Sequence, residues 1–200
     1  VGKGEASLSE TEKKKVREFA RRAEALAGES DKKIDKAEEI VKGLLREGFK
    51  PIVYCRFIAT SDYVAEELKK RLSQEFPDVH IISATGALTE EERGMRVAEL
   101  CRSPRRVLVA TDCLSEGINL QEGFNAVVHY DLPWNPNRLE QREGRVDRFG
   151  QTSRVVKAVL LYGANNPIDG AVLDVLLRKA RSIHKSLGIT VPIPVDSESV

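Results

Sequence analysis

The chain has 200 residues, enough for one substantial α/β domain with a helical appendage. Its 32 basic and 31 acidic side chains nearly cancel, so net charge makes no case for a polyanionic partner, and any basic groove must come from charge distribution. No apolar run approaches the roughly 18 residues that span a bilayer, and no secretory signal is present, so a membrane partner is not expected.

In chain order, residues 8–27 read as a charged helix. Ser9 and Glu12 suit a capping box, and Val16, Phe19, Ala20, Ala23 and Leu26 recur at helical spacing. Lys13, Lys14, Lys15, Arg17, Arg21 and Arg22 form either a solvated face or a nucleic-acid contact. Gly28 punctuates, Asp31 caps a second helix, and Gly48 with Pro51 ends it. Short apolar runs follow at 52–55, 79–83, 107–110, 126–130 and 155–162, separated by helical segments at 61–74, 89–100 and 137–147. Buried strands alternating with amphipathic helices imply a mostly parallel sheet covered on both faces, with its working surface at the carboxyl edge. A last helix at 167–187 and a tail at 192–200 complete the chain. Cys55, Cys101 and Cys113 show no CxxC or Cys/His cluster, so they read as packed reduced thiols rather than metal ligands. The chain does not begin with Met, and we expect it to be a piece of something longer.

Three segments carry chemistry. In residues 141–151, a helix would bring Gln141, Gly144 or Arg145, and Arg148 onto one face. Two guanidinium groups there suit phosphate, although the run also reads as a solvated helix end. In residues 107–120, a buried strand runs into a polar turn holding Thr111, Gly117 and Asn119. A hydroxyl and free N–H groups can hold a phosphate there, and Asn119 suits either a ribose hydroxyl or a turn cap. In residues 131–136, two prolines stiffen the exit towards the arginine segment, and Trp134 reads first as a packing anchor and second as a nucleic-acid contact.

Together, residues 111–120, 131–136 and 141–151 resemble motifs V and VI of the superfamily 2 helicase carboxy-terminal domain. The DLPWNP spacer and the terminal Gly150-Gln151 resemble the Swi/Snf-type ATPases, and the GR-x-DR-x-GQ variant resembles their bacterial and archaeal RapA-like branch. Residues 51–68 resemble motif IV, and Ser83, Ala84, Thr85 and Gly86, with Arg93 downstream, resemble a motif preceding a phosphate-touching helix.

The resemblance implies a RecA-like lobe at residues 31–165, flanked by helical extensions at 1–30 and 166–200. It implies that Arg145 and Arg148 reach the γ-phosphate of ATP, held with Mg2+ mainly by an N-terminal RecA-like lobe, and that Gln141 couples the site to the moving interface. Gly117 and Asn119 would approach the nucleotide sugar, while Thr111, Thr85 and Gly86 would touch the nucleic-acid backbone. The implied activity is translocation on double-stranded DNA, or on RNA, in a cytoplasmic protein that is nucleoid-associated if prokaryotic. A strand-separating DNA or RNA helicase lobe and a non-catalytic binding module are the alternatives. Asp147 stands where eukaryotic Swi/Snf members commonly have His, which weakens transfer of a chromatin role. No G-x-x-x-x-G-K-[ST] loop and no DExx box occur in the sequence, so the chain alone is expected to be inactive.

Overall fold

A computed structural model describes residues 9–114, 118–135, 137–163 and 166–187; Gly117 and the tail at 192–200 lie outside them. The first helix, α1 (Glu10–Leu26), starts at the Ser9–Glu12 capping box that its sequence proposes, and none of its residues is buried. A 3-10 turn (Gly28–Ser30) follows, tied to the body by hydrogen bonds at both faces of Gly28. The Gly28 N–H donates to Tyr63 Oη at 2.9 Å, and Arg71 Nη2 donates to the Gly28 carbonyl at 2.7 Å. Asp31 then caps α2 (Lys32–Arg46) by accepting from the Lys33 and Ile34 N–H groups.

The remaining elements are β1 (Pro51–Tyr54), α3 (Ile58–Leu72), β2 (His80–Ala84), α4 (Glu90–Leu100), β3 (Arg106–Ala110), β4 (Ala126–His129), α5 (Asn137–Glu143), β5 (Lys157–Leu160) and α6 (Pro167–Leu187). The four earlier strands lie within one residue of their expected bounds. The fifth is narrower than 155–162, and α3 begins three residues before Ser61, which is itself fully buried against the sheet.

All strand pairs are parallel, in the order β2-β3-β1-β4-β5. This is the expected α/β architecture, and its register is informative. Ala84 pairs with Ala110, Ala110 with Tyr54, Tyr54 with His129, and His129 with Leu160. The last residues of all five strands therefore stand side by side, and the loops that follow them emerge along one edge. Chain order runs β1, β2, β3 on one side and β4, β5 on the other, so the direction of winding reverses beside β1.

Alternation along the strands fills two cores. Val53, Val107, Val109 and Val128 face α2 and α3, while Ile52, Tyr54, Leu108 and Ala110 face Val97 and Leu100 of α4 together with Phe124 and Val146. A third cluster packs Val172 and Leu176 of α6 against Leu139 of α5 and Leu132. The last helix thus braces the short helix that precedes the arginine run.

At the opposite end of β3, buried Arg106 acts as a staple without a carboxylate. Its Nε and Nη2 donate to the Gly123 carbonyl at 2.8 and 2.6 Å, and its Nη1 donates to the carbonyls of Cys101 and Ser103 at 3.1 and 2.6 Å. The close approach requires glycine at 123, because a Cβ there would lie 2.5 Å from Cys101 Sγ. Gly123→Ala should cost about 1–3 kcal/mol of stability by overpacking. Chemical denaturation checks this, and Cys101→Ala in the same chain should recover most of the loss.

Candidate functional site

The carboxyl edge is organised by Asp112, the second residue after β3. Its Oδ1 accepts from Arg142 Nε at 2.7 Å, and its Oδ2 accepts from Arg142 Nη2 at 3.2 Å and from Arg138 Nη1 at 2.8 Å. Arg138 and Arg142 are one helical turn apart on α5, so both reach the same carboxylate. Burial alone would raise the Asp112 pKa, but the Arg142 and Arg138 contacts outweigh it and hold the carboxyl below its ordinary value.

Arg142 is only 3% exposed, and its guanidinium lies 5.1 Å from the centroid of the Tyr54 ring. Its Nη1 also donates to the Asp131 carbonyl at 3.3 Å and faces His129 Nδ1 at 3.4 Å. His129, at the end of β4, is fully buried, and its Nε2 is 3.0 Å from Glu143 Oε1. Burial lowers its pKa more than Glu143 raises it. The ring is accordingly neutral, with its proton on Nε2 donated to Glu143 and the Nδ1 lone pair facing Arg142. A charged imidazole would turn an N–H towards the guanidinium. Asp131 joins the neighbouring elements: its carboxylate accepts from the Arg56 N–H at 2.9 Å and from Lys33 Nζ at 2.7 Å.

The run at 144–151 departs from expectation. The helix does not continue to 147, and Arg145 and Arg148 do not share a helical face. It ends at Glu143, whose carbonyl accepts from both the Val146 and the Asp147 N–H groups. Glycine, the weakest helix former short of proline, follows at once at 144, and the i+3 bond from the Val146 N–H tightens the last turn, so the helix stops while Val146 stays fully buried. A Cβ at Gly144 would sit 3.0 Å from the Glu140 carbonyl, so glycine suits this turn. Gln151 closes the loop: its side-chain amide donates to the carbonyls of Val146 and Phe124 at 2.9 and 3.0 Å, and its side-chain oxygen accepts from the Ser153 N–H. Gly150 takes a φ of +96° at the tip. The turn holds Arg145 half-buried and Arg148 exposed, and neither side chain has a hydrogen bond or ion pair among the described residues. Gln141 is exposed on α5 and is likewise without such a partner.

Thr85 and Thr111 are 4% and 7% exposed. The Thr85 hydroxyl accepts from the Ala87 N–H at 3.4 Å, and the Thr111 hydroxyl donates to Cys113 Sγ at 3.1 Å. Exposed Gly86 is the open point of that edge, with Cys113 Cβ 3.7 Å from where its own Cβ would be. Asn119 is exposed and donates to Glu122 Oε1 at 3.3 Å. It lines a cavity of about 460 Å³ with Cys101, Arg106 and Gly123, apart from the Asp112–Arg142 cluster. Arg93 is 9% exposed, bonded to the Leu88 carbonyl, and its Nε has no partner.

A second cavity, of about 410 Å³, opens between the loops after β1, β3 and β4, lined by Arg56, Thr111, Asp112, Trp134, Arg138 and Arg142 among others. Trp134 is 50% exposed at its rim, so it is not the packing anchor that the sequence favours. Asp112, Arg138 and Arg142 were not singled out by motif reading. The signal available was spacing: an acid one residue after a phosphate-type threonine, and two arginines four apart.

Two consequences are measurable. Asp112→Ala leaves the Arg142 charge buried and unpaired; because Asp112 is itself partly exposed, the expected loss is about 2–3 kcal/mol, below that of a fully buried pair. Urea denaturation checks this. His129 has a folded pKa below its ordinary 6.5, so its contribution is complete above that value and is lost as pH falls through it. Thermal melts between about pH 7.5 and about pH 5.5 should show this loss in the wild type and a smaller one in His129→Gln, which keeps a neutral donor and acceptor.

Residues 32–150 match the helicase conserved C-terminal domain. A Bacillus subtilis protein described as an uncharacterized ATP-dependent helicase, YqhH, is 32% identical over 155 residues, covering 76% of this chain and 26% of its own length. The ATP-dependent RNA helicase dbp8 of Aspergillus clavatus is 33% identical over 108 residues, covering 54% of this chain and 19% of its own length. Among solved structures, the Sulfolobus solfataricus SWI2/SNF2 ATPase core in complex with dsDNA superposes with a TM-score of 0.54 at 26% identity, over 78% of this chain and 31% of that one. Domain 2 of the DEAD-box helicase Mss116p, bound to an RNA duplex, superposes with a TM-score of 0.58 at 17% identity, over 83% of this chain and 60% of that one, a likeness of RecA-like fold alone. The chain spans about a quarter of the length of YqhH and less of dbp8. With its five-stranded parallel sheet and an arginine-bearing turn after α5, the chain belongs to the helicase conserved C-terminal domain family, the second lobe of superfamily 2 helicases.

Proposed function

We propose that this chain is the second motor lobe of a Swi/Snf-type, DNA-dependent ATPase of the RapA-like branch, acting as a duplex translocase. The observation that carries the reading is a division of labour among four arginines. Arg138 and Arg142 are committed to Asp112, whereas Arg145 and Arg148, on a turn pinned by Val146 and Gln151, have no partner among the described residues. Unpaired guanidinium groups on a fixed turn fit a phosphate delivered from outside the lobe.

ATP supplies the scissile γ-phosphoryl group, and an N-terminal RecA-like lobe is its main holder, together with Mg2+. Arg145 and Arg148 would stabilise the charge that develops on the γ-phosphoryl oxygens, which ties hydrolysis to closure of the two lobes. Gln141, exposed beside them, faces the moving interface; Gly117 and Asn119 are assigned to the nucleotide sugar. For Asn119 that role requires movement, because its cavity is separate from the arginine cluster. Thr85, Gly86 and Thr111 are assigned to the nucleic-acid strand. With both threonine hydroxyls internally engaged, the contact would come through backbone N–H groups near Gly86. The domain division at residues 30 and 165, inactivity of the lobe alone, and a cytoplasmic, nucleoid-associated setting belong to the same proposal. The DLPWNP spacer with its exposed Trp134 and the likeness to the SWI2/SNF2 core support the translocase. Relatives named as RNA helicases, such as dbp8, favour a second reading as a strand-separating RNA helicase lobe.

In the full-length protein, Arg145→Ala or Arg148→Ala should lower nucleic-acid-stimulated ATP hydrolysis by about 10³-fold or more while nucleotide still binds. Steady-state hydrolysis with a fluorescent-nucleotide titration measures both, and wild-type turnover in the two variants would remove the proposal. Stimulation by blunt duplex DNA without strand separation supports the translocase; unwinding of forked RNA supports the alternative.

A further inference from the structure

The tip of the arginine run is a β-turn. The Gln151 N–H donates to the Arg148 carbonyl at 3.0 Å, and Gly150, with a φ of +96°, holds the third position, where a positive φ favours glycine. Phe149 is thereby set at the corner of the turn, and it is 101% exposed, more than any other large apolar residue described. Its ring contacts no other ring and no cation among the described residues. Both ends of the turn are fixed: Val146 is fully buried, and the Gln151 side chain donates to the Val146 and Phe124 carbonyls at 2.9 and 3.0 Å. The lobe therefore holds a phenyl ring in water at a defined place, and its own core gains nothing from it.

Arg148, the residue before Phe149, is exposed and without a partner, and its proposed role is to meet a phosphate held by the N-terminal RecA-like lobe. Interfaces between domains of one chain bury about 600–1,500 Å² in total, which gives each side a footprint of roughly 10–15 Å in radius. Consecutive Cα atoms are about 3.8 Å apart, so a footprint that takes in Arg148 takes in Phe149 as well. A surface that closes over the arginine also covers the corner of its turn.

We infer that Phe149 is the apolar half of the contact that closes the two lobes: its ring leaves water on closure and packs into an apolar recess of the N-terminal lobe beside the phosphate site. The inference rests on the proposed role of the arginine turn. Arg148 meets the phosphate, whereas Phe149 meets the protein around it, so the ring stabilises the closed arrangement and leaves the open one unaffected. A group buried in only one of two states shifts their balance by its transfer free energy, which for a phenyl ring is about ten- to a hundredfold. Phe149 is in this sense a positioning residue, since it touches neither nucleotide nor the reacting atoms.

The test uses the full-length protein with Phe149→Ala, Phe149→Leu and Arg148→Ala. Closure is followed by energy transfer between one dye on each lobe as a non-hydrolysable ATP analogue is titrated, in the presence of whichever duplex, DNA or RNA, stimulates hydrolysis. Steady-state hydrolysis, duplex binding and melting without nucleotide are measured alongside. For Phe149→Ala we expect the analogue concentration at half-closure to rise about tenfold, and kcat/KM for ATP to fall by a similar factor. Phe149→Leu keeps an apolar side chain and should stay within about threefold of wild type. The melting temperature without nucleotide should not change, because the ring is already in water. Wild-type closure and turnover in Phe149→Ala alongside a crippled Arg148→Ala overturn the inference and leave the arginine role standing. An unchanged closure curve with weakened duplex binding also overturns it and assigns the ring to a base. A lowered melting temperature overturns it as well, since the ring would then be buried in the resting protein. Wild-type turnover in Arg148→Ala removes the arginine role, and this inference with it.

Discussion

A full positive charge at Arg142, nearly excluded from water, is the constraint around which the carboxyl edge is built. Such a charge is tolerated only when its donors are met, and here they are met from four directions. Asp112 arrives from β3, His129 and the Asp131 carbonyl come from β4 and its exit, and the Tyr54 ring comes from β1. One side chain on a seven-residue helix therefore binds three neighbouring strands together at the level where they end. A helix that short has little stability of its own, so its place is set by this ion pair on one side and by Leu139 packing against α6 on the other.

The arginine turn inherits that rigidity. Immediately after the fixed helix the backbone folds back on Glu143, buries Val146 and is closed by Gln151 against Phe124. Arg145 and Arg148 on this turn have no side-chain hydrogen bond or ion pair among the described residues. Preorganisation of this kind matters for phosphoryl chemistry, where a donor that must first be ordered loses much of its effect on the transition state.

Much of this was legible in the residues themselves. Short β-branched runs separated by amphipathic segments gave a parallel α/β sheet with the bounds of its first four strands accurate to a residue, because buried strands tolerate little else. Capping at Ser9 and Asp31 follows from local chemistry and appears where helix-start signals put it. The arginine segment stood out as a motif, but its shape did not. Helical periodicity carried the helix to 147, whereas Gly144 and a tightened last turn ended it at Glu143. Trp134 misled in the other direction: a large apolar side chain between two prolines suggested packing, yet the stiff connection holds it half exposed at a cavity rim.

The sequence by itself determined the family and the class of fold, since these rest on residue type, spacing and periodicity. It could not separate the arginines by role, because Arg138, Arg142, Arg145 and Arg148 carry the same group at similar spacing. Only the tertiary structure decided that two of them serve Asp112 and that the other two have no hydrogen bond or ion pair among the described residues. That choice depends on strand register, which brings residue 112 beside residue 142, and on the turn closed at the Glu143 carbonyl, which ends the helix before residue 145.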